Sequence, residues 1–300
     1  MSKLSRTKSV TLITFLVLVW GVCWPIYKIA LSYTPPILFA GMRTLFGGLL
    51  LAALLIPKRD QIRWNENWPI YLVSSIFNVM LFYGLQTIGL RYMPAGLFSV
   101  IVYLQPVLVG IFAWAWLGES MSAVKVIGLV IGFIGVAAVS AEGFSGHIST
   151  LGILLALITA FSWAIGTVYV KKHSFKVDSM WLSAMQCIIG GIVLTGVGSG
   201  FESWSSIVWN TPYVFGLIFG IVLGISASWV VYFILVGSGD ASKVASYTFL
   251  VPLISVLCGT LFLNEPFTVY LVVGLILIGV SIYLVNRKTK PRMKQVEEAA

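Results

Sequence analysis

Apolar runs about as long as a bilayer is thick recur along almost the whole chain, and that repetition constrains the fold more than any motif. A helix crossing the hydrocarbon core needs about 20 predominantly apolar residues. Runs of this order, bounded by charge, proline or polar clusters, lie near residues 10–31, 36–56, 68–89, 94–117, 124–141, 150–170, 179–198, 212–236, 242–263 and 268–285. They consume most of the 300 residues, which leaves short loops and tails and no room for a separate soluble catalytic domain. Only 10% of the residues are charged and 59% are hydrophobic, whereas a water-soluble chain carries about 25% charge. The expectation is an all-α integral membrane protein with ten transmembrane helices. The basic start (Lys3, Arg6, Lys8) resembles a signal peptide. The run behind it is a full span with no small-residue cleavage site, so it is read as the first helix.

The charge that is present describes topology. With the N-terminus inside, Lys3, Arg6, Lys8, Lys58, Arg59, Arg63, Lys125, Lys171, Lys172, Lys176, Lys243, Arg287, Lys288, Lys290, Arg292 and Lys294 all fall on the inner side, which is 16 of the 19 basic residues. Lys28 and Arg91 fall at outer helix ends, and Arg43 lies within the second span. Both termini are expected in the cytoplasm of a cell whose plasma membrane holds the protein. The net charge of +9 therefore reflects membrane orientation rather than nucleic-acid binding. Cys23, Cys187 and Cys258 lie in apolar stretches without ligand spacing, so neither a disulfide framework nor a metal site is expected.

The chain repeats itself. Trp20 and Lys28 recur as Trp163 and Lys171 at an offset of 143, and the same offset carries Arg43 onto Gln186. At an offset of 146, Ala95, Leu104, Pro106, Leu117 and Glu119 recur as Ala241, Leu250, Pro252, Leu263 and Glu265, and Gly128-Leu129 as Gly274-Leu275. Two five-helix repeats are implied, 1–141 and 150–285, followed by a basic tail over 286–300. Because five is odd, the second repeat enters from the opposite side. Inverted repeats place a solute site near the bilayer midplane between the halves.

These residues resemble the drug/metabolite transporter superfamily, in particular its ten-helix EamA-type members. The resemblance covers essentially the whole chain and rests on Trp20-Gly21 with Lys28, on Arg43 opening the second helix, and on the doubled segments Pro106 to Glu119 and Pro252 to Glu265. It implies export or exchange of small metabolites such as amino acids. The halves depart from symmetry where Pro25 faces Val168, Trp24 faces Thr167 and Gly118 faces Asn264.

Candidate site residues can be read from what is costly in lipid. All ten acids, Asp60, Glu66, Glu119, Glu142, Asp178, Glu202, Asp240, Glu265, Glu297 and Glu298, fall in loops, tails or helix ends, so no intramembrane carboxylate offers itself for proton coupling. Glu119 and Glu265 read first as helix terminators. Arg43 sits at membrane depth, at a cost of about 2.5–3.5 kcal/mol unless paired or wet. A structural clamp and a contact to a solute carboxylate both remain open for it. Trp20, Trp24 and Tyr27 share a helical face, and Trp163 and Trp229 also fall in span interiors, whereas Trp64, Trp68, Trp181, Trp204 and Trp209 read as an interfacial belt. Asn78, Gln86, Tyr103, Gln105, Ser162, Thr167, Gln186, Ser226, Ser228, Tyr232 and Thr248 are the polar groups expected to converge on a cavity. Of these, Asn78, Tyr103, Thr167, Gln186 and Tyr232 join Trp20, Trp24, Tyr27, Arg43, Trp163 and Trp229 as candidate solute contacts. Pro25, Pro106 and Pro252 are candidate kinks, and Gly216, Gly220, Gly224 and Ser228 form a small-residue stripe read as close packing.

The resulting expectation is a secondary transporter without cofactor, metal or catalytic residues. Its partners would be a small-molecule solute and the bilayer, with no nucleic acid, and it would be a monomer or, alternatively, a dimer. A membrane-embedded enzyme is disfavoured because only His147 and His173 are present and lie on opposite sides. A receptor or assembly protein is disfavoured by the short loops.

Overall fold

The computed structural model describes residues 4–89, 92, 98, 101–139, 149–262 and 269–287. Among them the chain is helical, with no β-strand. Helices α1 (Arg6–Ala30), α2 (Pro36–Leu55), α7 (Thr150–His173) and α8 (Ser179–Phe201) run without interruption. Two further crossings pass through a π-helical turn: α3 (Trp64–Ser75) and α4 (Phe82–Gly89) join through Ile76–Leu81, and α9 (Thr211–Phe219) and α10 (Ser228–Ser238) through Gly220–Ala227. These six stretches are long and apolar enough to cross a membrane.

The remaining apolar runs form shorter helices among the described residues. They are α5 (Gln105–Leu117), α6 (Ala123–Val139), α11 (Ala241–Ser246), α12 (Leu250–Phe262) and α13 (Val269–Asn286). Two expected spans are thus interrupted. One turns at Tyr103-Leu104 before α5, and the other passes through a 3-10 turn at Tyr247–Phe249 before α12. Pro106 and Pro252 stand within the first turn of the helix after each break, where the missing N–H costs least. Pro25, by contrast, lies inside α1 without ending it. Ala95, Pro94, Arg91, Glu142, His147, Leu263, Asn264, Glu265 and Pro266 lie outside the described residues.

Helix ends are closed by the chemistry the sequence supplies. Asp178 accepts from the Met180 and Trp181 amides at 2.9 and 3.0 Å, and Asn210 from Tyr213 N–H at 3.0 Å. Between α5 and α6, Gly118 adopts φ +68°, a left-handed turn open to glycine at no steric cost. It makes a tight hairpin between the two helices.

Helix pairs approach through glycines. Helix α2 lies along α8, with Gly41 against Thr195, Gly48 against Ile188 and Ala184, Gly191 against Leu45 and Gly198 against Leu38. Helix α6 lies along α13, with Gly128 against Leu284 and Val285. Helix α1 packs on α12, as α7 packs on α5. Exchanging the two halves of the chain leaves this set of pairings unchanged. Phe46, Leu49, Leu54, Ile134, Ile192, Phe215 and Ile276 stay exposed on the outside, a surface that lipid solvates and water would not. Trp64, Trp68, Trp204 and Trp209 are exposed as a belt requires, but Trp181 is only 3% exposed. Its indole N–H donates to the Lys58 carbonyl at 2.9 Å, so it pins a loop to the bundle instead of facing the interface.

A Cβ at Gly48 would sit 2.7 Å from Ile188 N and 2.8 Å from Ala184 O, both rigid backbone. Gly48→Ala is therefore expected to cost about 1–3 kcal/mol by overpacking, read as a lower unfolding midpoint in detergent. Gly196→Ala on α8, where a Cβ meets nothing within 4 Å, should leave the midpoint unchanged or raise it.

Candidate functional site

Two widened turns shape the centre of the molecule. A π-helical turn adds a residue to the helical circuit and rotates the residues after it. The turn at Ile76–Leu81 precedes Phe82 and Tyr83, and the turn at Gly220–Ala227 contains Gly224 and precedes Trp229. These four residues line a cavity of about 70 Å³ together with Trp20, Cys23, Tyr27, Arg43, Gln86, Val102, Tyr103 and Trp163. Its volume matches about two water molecules at roughly 30 Å³ each, well below the about 300 Å³ at which small-molecule pockets begin. As it stands the cavity is smaller than the pockets that hold metabolites, and its walls are mainly aromatic.

Those walls form one connected set of rings. Trp20 meets Trp163 and Trp229 edge-on at 5.6 and 6.0 Å and Tyr232 at a tilt at 5.3 Å between centroids. Phe82 lies 5.1 Å from Trp163 and 4.8 Å from Tyr83. The Trp229 indole N–H donates to Tyr83 Oη at 3.0 Å. Behind the rings, the Tyr232 hydroxyl is 3.0 Å from Thr167 Oγ1 and accepts from Gln105 Nε2 at 3.3 Å.

Arg43 is the charged member of the set, and it is 4% exposed. Its guanidinium carbon lies 4.3 Å from the Tyr27 ring centroid, 4.5 Å from that of Tyr83 and 5.4 Å from that of Phe39. A desolvated cation–π contact contributes about 2 kcal/mol, so three of them offset an insertion cost of about 2.5–3.5 kcal/mol. Its Nε has no hydrogen-bond partner, and among the described residues no carboxylate pairs with Arg43. The cage holds the charge through ring faces and leaves hydrogen-bonding capacity unspent.

Of the residues the sequence nominates, Trp20, Tyr27, Arg43, Tyr103, Trp163 and Trp229 line the cavity, with Gln86 beside them. Thr167 and Tyr232 stand immediately behind. Asn78 and Gln186 lie elsewhere: Asn78 Nδ2 donates to Ser74 Oγ at 3.2 Å and to Gln186 Oε1 at 3.3 Å, and Ser74 donates to Gln186 at 2.5 Å. That cluster joins the third and seventh expected spans and does not line the cavity. The Trp24 side chain lies outside the described part. Ser226, Ser228 and Thr248 bond carbonyls of Gly47 and Ile221, of Gly224, and of Ala245, the self-satisfaction open to hydroxyls in helices.

Cys23, Phe82, Tyr83, Val102 and Gly224 were not nominated by sequence. Cys23 carries a faint signal, lying between Trp20 and Tyr27 at i, i+3 and i+7. Gly224 shows why the small-residue stripe does more than pack helices: a Cβ there would collide with the Tyr27 hydroxyl, so the glycine admits the ring that holds Arg43. Phe82 and Tyr83 have no periodic signature, since the π-helical turn before them alters the register.

The EamA-like transporter family model matches residues 7–141 and again 150–287. The chain belongs to this family. An uncharacterized transporter of Bacillus subtilis, YvbV, is 57% identical over 97% of this chain and 95% of its own. A probable amino-acid metabolite efflux pump of Escherichia coli is 25% identical over 92% of this chain and 94% of its own. A crystal structure with 19% sequence identity superposes with TM-score 0.81, covering 94% of this chain and 97% of that one, and shares the fold. The protein is thus a multi-pass membrane transporter whose partners are a small-molecule solute and lipid.

Tyr83→Phe removes the acceptor of the buried Trp229 N–H. A buried donor left unpartnered costs about 1–3 kcal/mol, so the unfolding midpoint in detergent should fall; an unchanged midpoint would show that the indole is satisfied otherwise.

Proposed function

We propose that this chain is a secondary transporter that exports or exchanges small amphipathic metabolites, amino acids among them, by alternating access around the aromatic cavity. The observation that carries the reading is Arg43: a buried guanidinium with an unpartnered Nε on the wall of a largely aromatic site. A planar fork of donors suits a carboxylate, and the Trp20, Trp163 and Trp229 rings suit the apolar body or ammonium group of the same solute. The name borne by the Escherichia coli relative agrees with a solute of this kind.

In the same reading, residues 1–141 and 150–285 are inverted five-helix repeats, and alternating access is their relative rocking about breaks near Pro106 and Pro252. The pairings that survive exchange of the halves support this. The protein works as a monomer in the plasma membrane with both termini in the cytoplasm, as the distribution of basic residues favours. The remaining residues of 286–300 form its basic cytoplasmic tail.

Reconstitution in proteoliposomes with a panel of labelled metabolites tests the function, and the absence of flux for every member would sink it. Arg43→Ala should slow carboxylate-bearing solutes about ten- to hundredfold relative to neutral ones, from a lost charge-assisted contact of about 1.5–3 kcal/mol. Equal loss for both classes would make Arg43 a purely structural clamp. Flux should also persist with no pH gradient, because the acids lie outside the span interiors; strict dependence on an imposed gradient would overturn the facilitated or exchange mode.

A further inference from the structure

At the face of the bundle that carries the 56–63 and 174–178 loops, one carboxylate ties the first half of the chain to the second. Glu119 comes directly after the left-handed turn at Gly118, and its side chain is 10% exposed. It accepts from Ala241 N–H at 2.6 Å, from Ser242 N–H at 3.4 Å and from the Ser242 hydroxyl. Lys125, with a side chain 7% exposed, stands 3.4 Å from the same carboxylate and also donates to the Ser120 carbonyl at 3.1 Å. Around this contact the ends of neighbouring helices are drawn together. Lys171 Nζ donates to the Gly239 and Gly237 carbonyls at 2.6 and 3.3 Å, and Lys243 pairs with Asp240 at 2.7 Å.

A second acid makes a similar tie at the opposite face, in a different mechanical setting. Glu202 accepts from Ile37 and Leu38 N–H at 3.1 and 2.8 Å, joining the end of α8 to the start of α2. Those two helices are already in backbone contact along their length through Gly41, Gly48 and Gly191, so Glu202 caps a pair already held in close contact along its length. Glu119 instead joins α5 to α11, and both of these are cut off from the membrane interior by a break. Helix α5 begins beyond the turn at Tyr103-Leu104, next to the cavity residue Tyr103, and α11 ends at the 3-10 turn Tyr247–Phe249.

Resting on the alternating-access reading, we propose that the Glu119 carboxylate, clasped on the Ala241 and Ser242 donors and backed by Lys125, is the latch that closes the cavity toward the N-terminal face. Opening on that side requires the clasp to release. The interrupted helices then swing at their breaks while the α2 and α8 pair stays fixed. The latch is made of a charge-assisted contact to two backbone amides, so it depends on both the carboxylate and the reach of the glutamate side chain.

The native Cys23 on the cavity wall provides a reporter that needs no solute, so its result is independent of whether the substrate assignment holds. In the full chain with Cys187→Ala and Cys258→Ser, reconstituted with known orientation, a membrane-impermeant maleimide is added from the N-terminal face. Glu119→Gln and Ser242→Ala should each raise the rate of Cys23 labelling, about tenfold for Glu119→Gln, the population shift expected on losing a charge-assisted contact. Glu119→Asp, too short to reach both amides, should behave like Glu119→Gln. In the pair Glu119→Cys and Ser242→Cys, oxidation to a disulfide should suppress Cys23 labelling from this face, and reduction should restore it. The Ser242→Ala arm, which keeps the carboxylate and both backbone donors, keeps the test decisive if Glu119→Gln does not fold. Labelling that is unchanged in folded Glu119→Gln and Ser242→Ala, or that continues at full rate in the cross-linked pair, would overturn the latch.

Discussion

A guanidinium held at membrane depth by aromatic faces is the interaction around which this molecule is arranged. Arg43 needs the Tyr27 and Tyr83 rings against its guanidinium, and each ring needs its own support. Tyr27 reaches its position because Gly224 has no side chain to obstruct its hydroxyl. Tyr83 is held by the Trp229 indole. Both supports depend in turn on π-helical turns that re-aim the residues next to them. The cost of burying one cation is thus distributed over four crossings, which is why the cavity wall and the charge are parts of one device.

The bundle around it combines rigid and interrupted elements. Where α2 meets α8 and α6 meets α13, glycines bring backbones together, and a Cβ at Gly41, Gly48, Gly191 or Gly128 would strike main chain or packed side chain. Dispersion and shape, rather than water exclusion, bind helices in lipid, so such contacts hold best where the surfaces are smoothest. The two interrupted helical stretches instead break at turns that lead into prolines. Backbone groups freed at such turns are tolerated because they are buried in protein rather than exposed to lipid. A closely packed frame with two interrupted helical stretches is mechanically suited to the alternating access proposed for this chain.

The degree to which the site was legible in the sequence varies by residue for physical reasons. Arg43, Trp20, Trp163 and Trp229 were visible because a charge or a large ring within an apolar run has few alternatives to facing protein. Tyr83 and Phe82 were not visible, because a π-helical turn shifts the periodicity on which face assignments depend. Asn78 and Gln186 are expected as cavity groups, but the structure bonds them to each other outside the cavity lining and leaves Asn78 Oδ1 and Gln186 Nε2 without a partner. Trp181 was read as interfacial from its position near a helix start, but a carbonyl of the adjacent loop captured its N–H.

Sequence alone determined that this chain lives in a membrane as a set of helices, that its halves echo each other, and that one cation must be accommodated inside. These rest on one-dimensional quantities: the length of apolar runs, the placement of charge and the spacing of recurring residues. Tertiary structure alone decided what surrounds Arg43, which helices are rigidly paired, and that Glu119 clasps the start of α11 rather than merely ending α5. Those depend on the rotation of each helix about its axis and on where its hydrogen-bond register slips, and neither quantity is carried by the pattern of residue types along the chain.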